Sequence, residues 1–188
     1  MSVALPTVRR AGRAQDRTLL GVLLFIASES IFFLAVVVAY LVFRDEGLAM
    51  AKRELDVVRT ALFSVLLFAS SGTMWLAARR CSRGWLGITA LLGAAFLVGQ
   101  GLEYGRLLDA GIRPGTALFG TTFFTLTGLH GLHVLVGLVL LGTLFLAATA
   151  RRGRISPVAW EAISLYWHFV DAVWVVVFSV VYLGTVLG

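Results

Sequence analysis

Apolar and polar residues alternate along this chain on the scale of whole segments. Five long apolar runs, near 19–43, 57–78, 85–107, 117–149 and 160–187, are separated by short stretches that carry most of the charge. At 1.5 Å per residue, a helix of each length crosses roughly 30 Å of hydrocarbon. A backbone inside lipid must satisfy its own hydrogen bonds, so each run is predicted to be one helix. Pro6, Pro114 and Pro157 fall outside the runs, where a missing N–H breaks no bond inside lipid. The fourth run exceeds what a span needs, which suits a loop or an interfacial turn at its start. The expected fold class is all-α, one membrane domain over 1–188 built as a bundle of five transmembrane helices.

Composition points the same way. Of 188 residues, 59% are hydrophobic and 14% charged, with a mean hydropathy of +0.92. A soluble domain holds about 45–50% apolar and about 25% charged residues. So much apolar surface cannot be hidden in a core this small and needs lipid as its solvent. The net charge is +6. Its basic residues come in bursts between the runs without interleaved aromatics, so no nucleic-acid partner is expected. The single cysteine, Cys81, stands beside Arg79, Arg80 and Arg83. It cannot form an internal disulfide and is a poor lone metal ligand.

Charge placement predicts orientation, because Lys and Arg gather on the cytoplasmic side. With the N-terminus inside, Arg9, Arg10, Arg13, Arg17, Arg79, Arg80, Arg83, Arg151, Arg152 and Arg154 are cytoplasmic. The opposite side receives Arg44, Lys52, Arg53, Arg59, Arg106 and Arg113, offset by Asp45, Glu46, Glu54, Asp56 and Asp109. The first run follows a basic segment, as in a signal peptide. It is too long for one and lacks a small-x-small cleavage site, so it is read as a signal anchor. The expected topology is N-terminus inside, C-terminus outside.

Against this background the polar residues in the runs are the informative ones: Glu29, Glu103, His130, His133, Glu161, His168 and Asp171. Ionisable groups inside a membrane face protein or water rather than lipid. In the fifth run Glu161, Ser164, His168, Asp171, Ser179 and Tyr182 fall on one helical stripe, with Trp160, Trp167 and Trp174 beside it. This stripe reads either as a proton path or ligand set, or as a seam joined to a neighbouring helix by hydrogen bonds. In the fourth run His130, His133 and Gly137 share one face, while Gly128, Gly131 and Gly142 form a second that permits close backbone approach. Both imidazoles are expected to find partners on the fifth helix, for example Asp171 or Glu161. No EXXH pair or cysteine set accompanies the histidines, so no metal is expected in this chain. Glu29 lies among Phe25, Phe32 and Phe33, where a lone carboxylate is disfavoured in its charged form. Gln100 and Glu103, with Tyr104, stand near the outer end of the third run and suit interfacial anchoring or a wet functional position.

These stretches resemble subunit III of the haem-copper respiratory oxidases, the subunit 3 family of cytochrome c and quinol oxidases. The resemblance rests on ASESIFFLAVVVAYLVF (27–43), GQGLEY (99–104), GLHGLHVLVG (128–137) and YWHFVDAVWVVVFSVVYLG (166–184). It covers most of residues 20–184 and is similar to the five-helix form, without the two N-terminal helices of longer members. It implies a chain with no redox centre, in the bacterial cell membrane. That chain packs beside catalytic subunit I in a complex with subunit II, supports proton uptake and binds phospholipid between helices. Haem and copper are then expected in the partner subunits and no catalytic centre in this one. The family's first-helix acid falls on Glu29, its third-helix acid on Glu103, and its His and Asp positions on His130, His133, His168 and Asp171. Rival expectations are a quinol oxidase subunit III, an accessory subunit of a nitric oxide reductase, a small membrane transporter and a bis-haem electron-transfer protein.

Overall fold

The structure is a computed structural model describing residues 6–44, 48–115, 117–150 and 155–187, the side chains of 6–15, 48, 50, 51, 186 and 187 excepted. Five described segments are long and apolar enough to cross a membrane: Asp16–Phe43, Val57–Arg80, Arg83–Asp109, Leu118–Ala150 and Pro157–Leu183. They belong to helices α1 (Pro6–Phe43), α3 (Val57–Arg80), α4 (Arg83–Asp109), α5 (Leu118–Ala150) and α6 (Pro157–Phe178), the last continued by a π turn at Ser179–Leu183. Two short helices accompany them, α2 (Leu48–Glu54) and α7 (Gly184–Leu187). The chain is a five-span, all-helical membrane protein.

Local chemistry sets several boundaries. Asp56 caps α3 by accepting the Arg59 N–H at 3.0 Å. Ser156 accepts the Val158 N–H at 3.3 Å, and Pro157 takes the first position of α6, where its missing donor is harmless. Cys81 closes α3 in a left-handed conformation (φ 46°), turning the chain into α4 within two residues.

The start of the fourth run departs from expectation. Helix α5 is continuous over 33 residues, about 50 Å at 1.5 Å per residue, and so extends beyond the hydrocarbon. Helix α2, between the first two spans, is a second difference. Seven residues rich in Lys, Arg and Glu give no long apolar run to read. Of the residues used for orientation, Asp45, Glu46, Arg151, Arg152 and Arg154 lie outside the described residues, as do the side chains of Arg9, Arg10 and Arg13.

The helices form a closed ring with one appended member. Helix α3 packs on α4, α4 on α5, α5 on α6, and α6 returns to α3. Helix α1 lies outside this ring against α5 and α6. It buries only a narrow strip that includes Phe33, Val37 and Tyr40, leaving the rest of its apolar surface exposed. Helix α6 meets α1, α3 and α5, so its residues decide how the bundle is joined.

Candidate functional site

Two tryptophans of α6 enter α3 side by side. Trp167 Nε1 donates to Ser70 Oγ at 2.9 Å, and Trp174 Nε1 donates to Ser64 Oγ at 2.8 Å. Each hydroxyl is itself a donor: Ser70 to the Leu67 carbonyl at 2.5 Å, Ser64 to the Thr60 carbonyl at 2.7 Å. Two buried indole N–H groups and two buried hydroxyls are thereby satisfied without water. The Trp167 ring needs space from two further helices. A Cβ on Gly93 would stand 2.6 Å from Trp167 Cη2, and one on Gly137 2.8 Å from its Cε3 and Cζ3. Gly137 therefore lies directly against the indole ring of α6. Gly128 and Gly131 leave ordinary contact distances to Tyr104 and Leu97, and a Cβ on Gly142 would meet nothing within 4 Å. The close approaches lie instead at Gly93 and at Gly99, where a Cβ would collide with the Phe63 ring. Both glycines sit on α4, in a run where small residues are read as filler unless the neighbouring aromatic is known.

The two histidines of the fourth run turn to different neighbours. His133 Nδ1 lies 2.8 Å from the Leu129 carbonyl, which can only accept, so Nδ1 carries a proton. Nε2 then faces Glu29 Oε2 on α1 at 3.2 Å. One further proton must lie on that contact, giving either an imidazolium with a carboxylate or a neutral ring with a carboxylic acid. Phe33 packs edge-on against the ring at 4.9 Å, and Tyr166 donates to the His133 carbonyl at 3.0 Å. The expected partner on the fifth helix is therefore replaced by one on the first. A helical wheel assigns an angle to His133 but not the neighbour found there.

His130 is fully buried and is held by ring faces. It stacks on Trp174 at 4.8 Å and meets the edge of Phe96 at 6.0 Å, and neither nitrogen has a hydrogen-bond partner among the described residues. Asp171 does not reach it. Its Oδ2 accepts from Ser71 on α3, whose Oγ also lies 2.9 Å from His168 Nδ1. Glu161 is exposed and lies ten residues below Asp171, about 15 Å along the axis. It is no partner for either histidine. The stripe on α6 straddles the rim of that helix's buried surface. Ser164, Asp171 and Tyr182 point inward, whereas Glu161 and Ser179 face out and His168 lies between.

Towards the C-terminal end of α4, Gln100 and Glu103 are buried. Glu103 is 2% exposed; its Oε1 accepts from Arg106 Nη2 at 2.8 Å and from the Asp56 N–H at 3.2 Å. Arg106 also donates to the Glu54 carbonyl at 2.5 Å, tying the α2–α3 connection to α4. Tyr104 shares a 2.7 Å hydrogen bond with Thr127 on α5. Gln100 and Tyr182 end in the same buried region, and their side-chain polar atoms lack hydrogen-bond partners of normal geometry.

These groups join helices through polar pairs and shared protons. Among the described residues no three His, Cys, Asp or Glu side chains converge into a metal-ligand set.

Residues 56–186 match the model of the family described as cytochrome c oxidase subunit III. Cytochrome c oxidase subunit 3 of Synechocystis sp. is 39% identical over 180 residues, covering 89% of this chain and 76% of the relative. Subunit 3 of the cytochrome bo(3) ubiquinol oxidase of Pseudomonas aeruginosa is 35% identical over 177 residues, covering 88% and 84% respectively. Cytochrome c oxidase subunit 3 of Bacillus sp. (strain PS3) is 34% identical over 180 residues, covering 90% and 86%.

Proposed function

Because the chain belongs to the cytochrome c oxidase subunit III family, we propose that it is the non-redox subunit III of a proton-translocating terminal oxidase. In this reading it braces catalytic subunit I, lies in a complex with subunit II and supports proton uptake. Haem and copper reside in the partner subunits, and phospholipid occupies two apolar grooves beside α1, one lined by Phe33, Val37 and Val177 and the other by Phe25, Val136 and Tyr166. The observation that carries the reading is the pairing of several membrane-buried polar groups with one another across neighbouring helices. Glu29 is joined to His133, Asp171 and His168 to Ser71, and the two indoles to serines. Groups satisfied in this way fix helix positions, while O2 chemistry needs redox centres that another chain must hold.

Relatives named for cytochrome c and for ubiquinol match this chain about equally. That follows if the electron donor binds elsewhere in the complex. The direct test is a complex purified with and without this chain. The stripped complex keeps its haem spectrum and loses sustained, proton-coupled turnover; departure of a haem or copper signal with this chain refutes the reading. Cys81, the chain's one cysteine and exposed at the end of α3, tests orientation. With the N-terminus inside, a membrane-impermeant maleimide labels it in inverted vesicles and not in spheroplasts, and the opposite pattern reverses the topology.

A further inference from the structure

The triplet Ser71, His168 and Asp171 has a property that bracing does not require. Ser71 Oγ stands within hydrogen-bond reach of two groups on α6, Asp171 Oδ2 and His168 Nδ1, the latter at 2.9 Å. A hydroxyl has one proton to give. If Ser71 gives it to Asp171, His168 Nδ1 must carry a proton and donate to the Ser71 oxygen. If Ser71 gives it to Nδ1, Asp171 Oδ2 must carry a proton and donate to that same oxygen. Any other arrangement sets two lone pairs against each other in a low-dielectric interior.

Asp171 is 5% exposed, and its second oxygen is buried without a hydrogen-bond partner. Its contact to a proton-carrying group therefore runs through Ser71. His168 is only half-buried, so the triplet joins an enclosed carboxyl to an imidazole at the surface of the bundle. The frame around it is firm, because the Ser70–Trp167 and Ser64–Trp174 bonds clamp α3 to α6 on either side. Other titratable groups on the packed helices are engaged elsewhere. Glu29 and His133 face each other, Tyr166 donates to the His133 carbonyl, His130 lies against Trp174, and Arg79 lies over Trp75.

We propose that Asp171, Ser71 and His168 form a proton relay, through which a buried carboxyl in the bundle exchanges its proton with the half-exposed edge of an imidazole. The step conserves atoms and charge. The Asp171 O–H bond breaks as its proton passes to Ser71 Oγ, and the Ser71 O–H bond breaks as its proton passes to His168 Nδ1. The products are an aspartate and an imidazolium, and the imidazolium releases its Nε2 proton to water or to a neighbouring acceptor. Uptake runs the same sequence backwards. The relay adds to the bracing role and does not depend on it.

The test is infrared spectroscopy of the detergent-solubilised complex on transfer from H2O to D2O. The band that Asp171→Asn removes is assigned to Asp171. The native complex is expected to show a protonated-carboxyl C=O band that shifts on deuteration. Loss of the bridge by Ser71→Ala, or of the imidazole end by His168→Phe, slows that shift about a hundredfold. Ser71→Thr, which keeps a hydroxyl, exchanges at the native rate. The absence of an Asp171 carboxyl band over the whole pH range in which the complex is intact overturns the proposal. So does equal exchange in the alanine and threonine variants. Co-purification of the chain with the complex reports separately on bracing, so a variant that fails to assemble shows its residue to be needed for docking while the others still decide the relay.

Discussion

Replacing Gly93 by alanine asks whether close approach of helices holds this bundle together. The new methyl carbon would stand 2.6 Å from Trp167 Cη2, 2.7 Å from Cζ2 and 3.2 Å from Leu138 Cδ2. Carbon atoms pack at about 3.5–4.0 Å, so the deficit against the indole is close to a full ångström. The indole cannot retreat. Its N–H is bonded to Ser70 at 2.9 Å, and the ring also presses on Gly137, where a Cβ would meet it at 2.8 Å. Overpacking of this kind costs about 1–3 kcal/mol, and the closed geometry places Gly93→Ala near the upper value. At tenfold per 1.4 kcal/mol, that is roughly a hundredfold in the equilibrium between packed and separated helices. Trp167→Phe removes Cη2 and Cζ2, the two atoms in conflict, so in that background Gly93→Ala should cost less than about 0.5 kcal/mol. The assay is retention of this chain on the detergent-solubilised complex across an SDS titration, for both single variants and the double. If the Gly93→Ala penalty is as large in the Trp167→Phe background as beside the native indole, the socket argument is wrong.

Other outcomes follow from the same geometry. Ser70→Ala and Ser64→Ala each leave a buried indole N–H without an acceptor and should destabilise by about 1–3 kcal/mol in the same titration; no effect from either removes the hydrogen bonds from the account. Glu103→Gln discharges the partner of Arg106 and weakens the acceptor for the Asp56 N–H, so hydrogen exchange at residues 54–59 should quicken while that of α5 stays unchanged. Equal exchange in variant and native protein would show that the Glu103 carboxylate does not hold this connection. Glu29→Gln can still hydrogen-bond His133 and should cost about 1 kcal/mol or less, whereas Glu29→Leu strands a ring nitrogen and should release α1 more readily; cysteine crosslinking between α1 and α5 separates the two cases.

The five spans are legible because the lipid requirement is written along the chain as length and hydropathy, whatever the neighbours are. Pairing is legible only in part. The angular position of Asp171 on its helix is right from periodicity, but its partner Ser71 lies 100 residues away in a run where Ser70, Ser71 and Gly72 read as small, neutral filler. A wheel projects one helix and does not order five. His133 could therefore be placed on a face and still be given the wrong helix as its partner. Gly93 shows the limit from the other direction, since its role exists only in relation to the Trp167 ring. Helix α2 escaped for a different reason: its exposed Lys52 and Arg53 give neither a long apolar run nor a strong period.

A membrane-spanning bundle gains little from hiding apolar side chains, because lipid tails receive them as well as protein does. What orders these helices must then be the contacts lipid cannot imitate: rings seated on glycines, indoles donating to serines, and protons shared between carboxylate and imidazole. The closed ring of α3, α4, α5 and α6 has the first two, with Trp167 touching glycines on two helices and bonded to a third, and adds Ser71 held between Asp171 and His168. Helix α1 has far less. Its polar tie to the ring at mid-depth is the Glu29–His133 contact, whose side chains remain 23% and 14% exposed. A tie of that kind positions a helix without locking it, and the large apolar surface of α1 stays available to lipid and to a neighbouring subunit. The core and the appended helix thus differ in how firmly they are held, and the difference arises from where the polar residues fall rather than from how apolar each helix is.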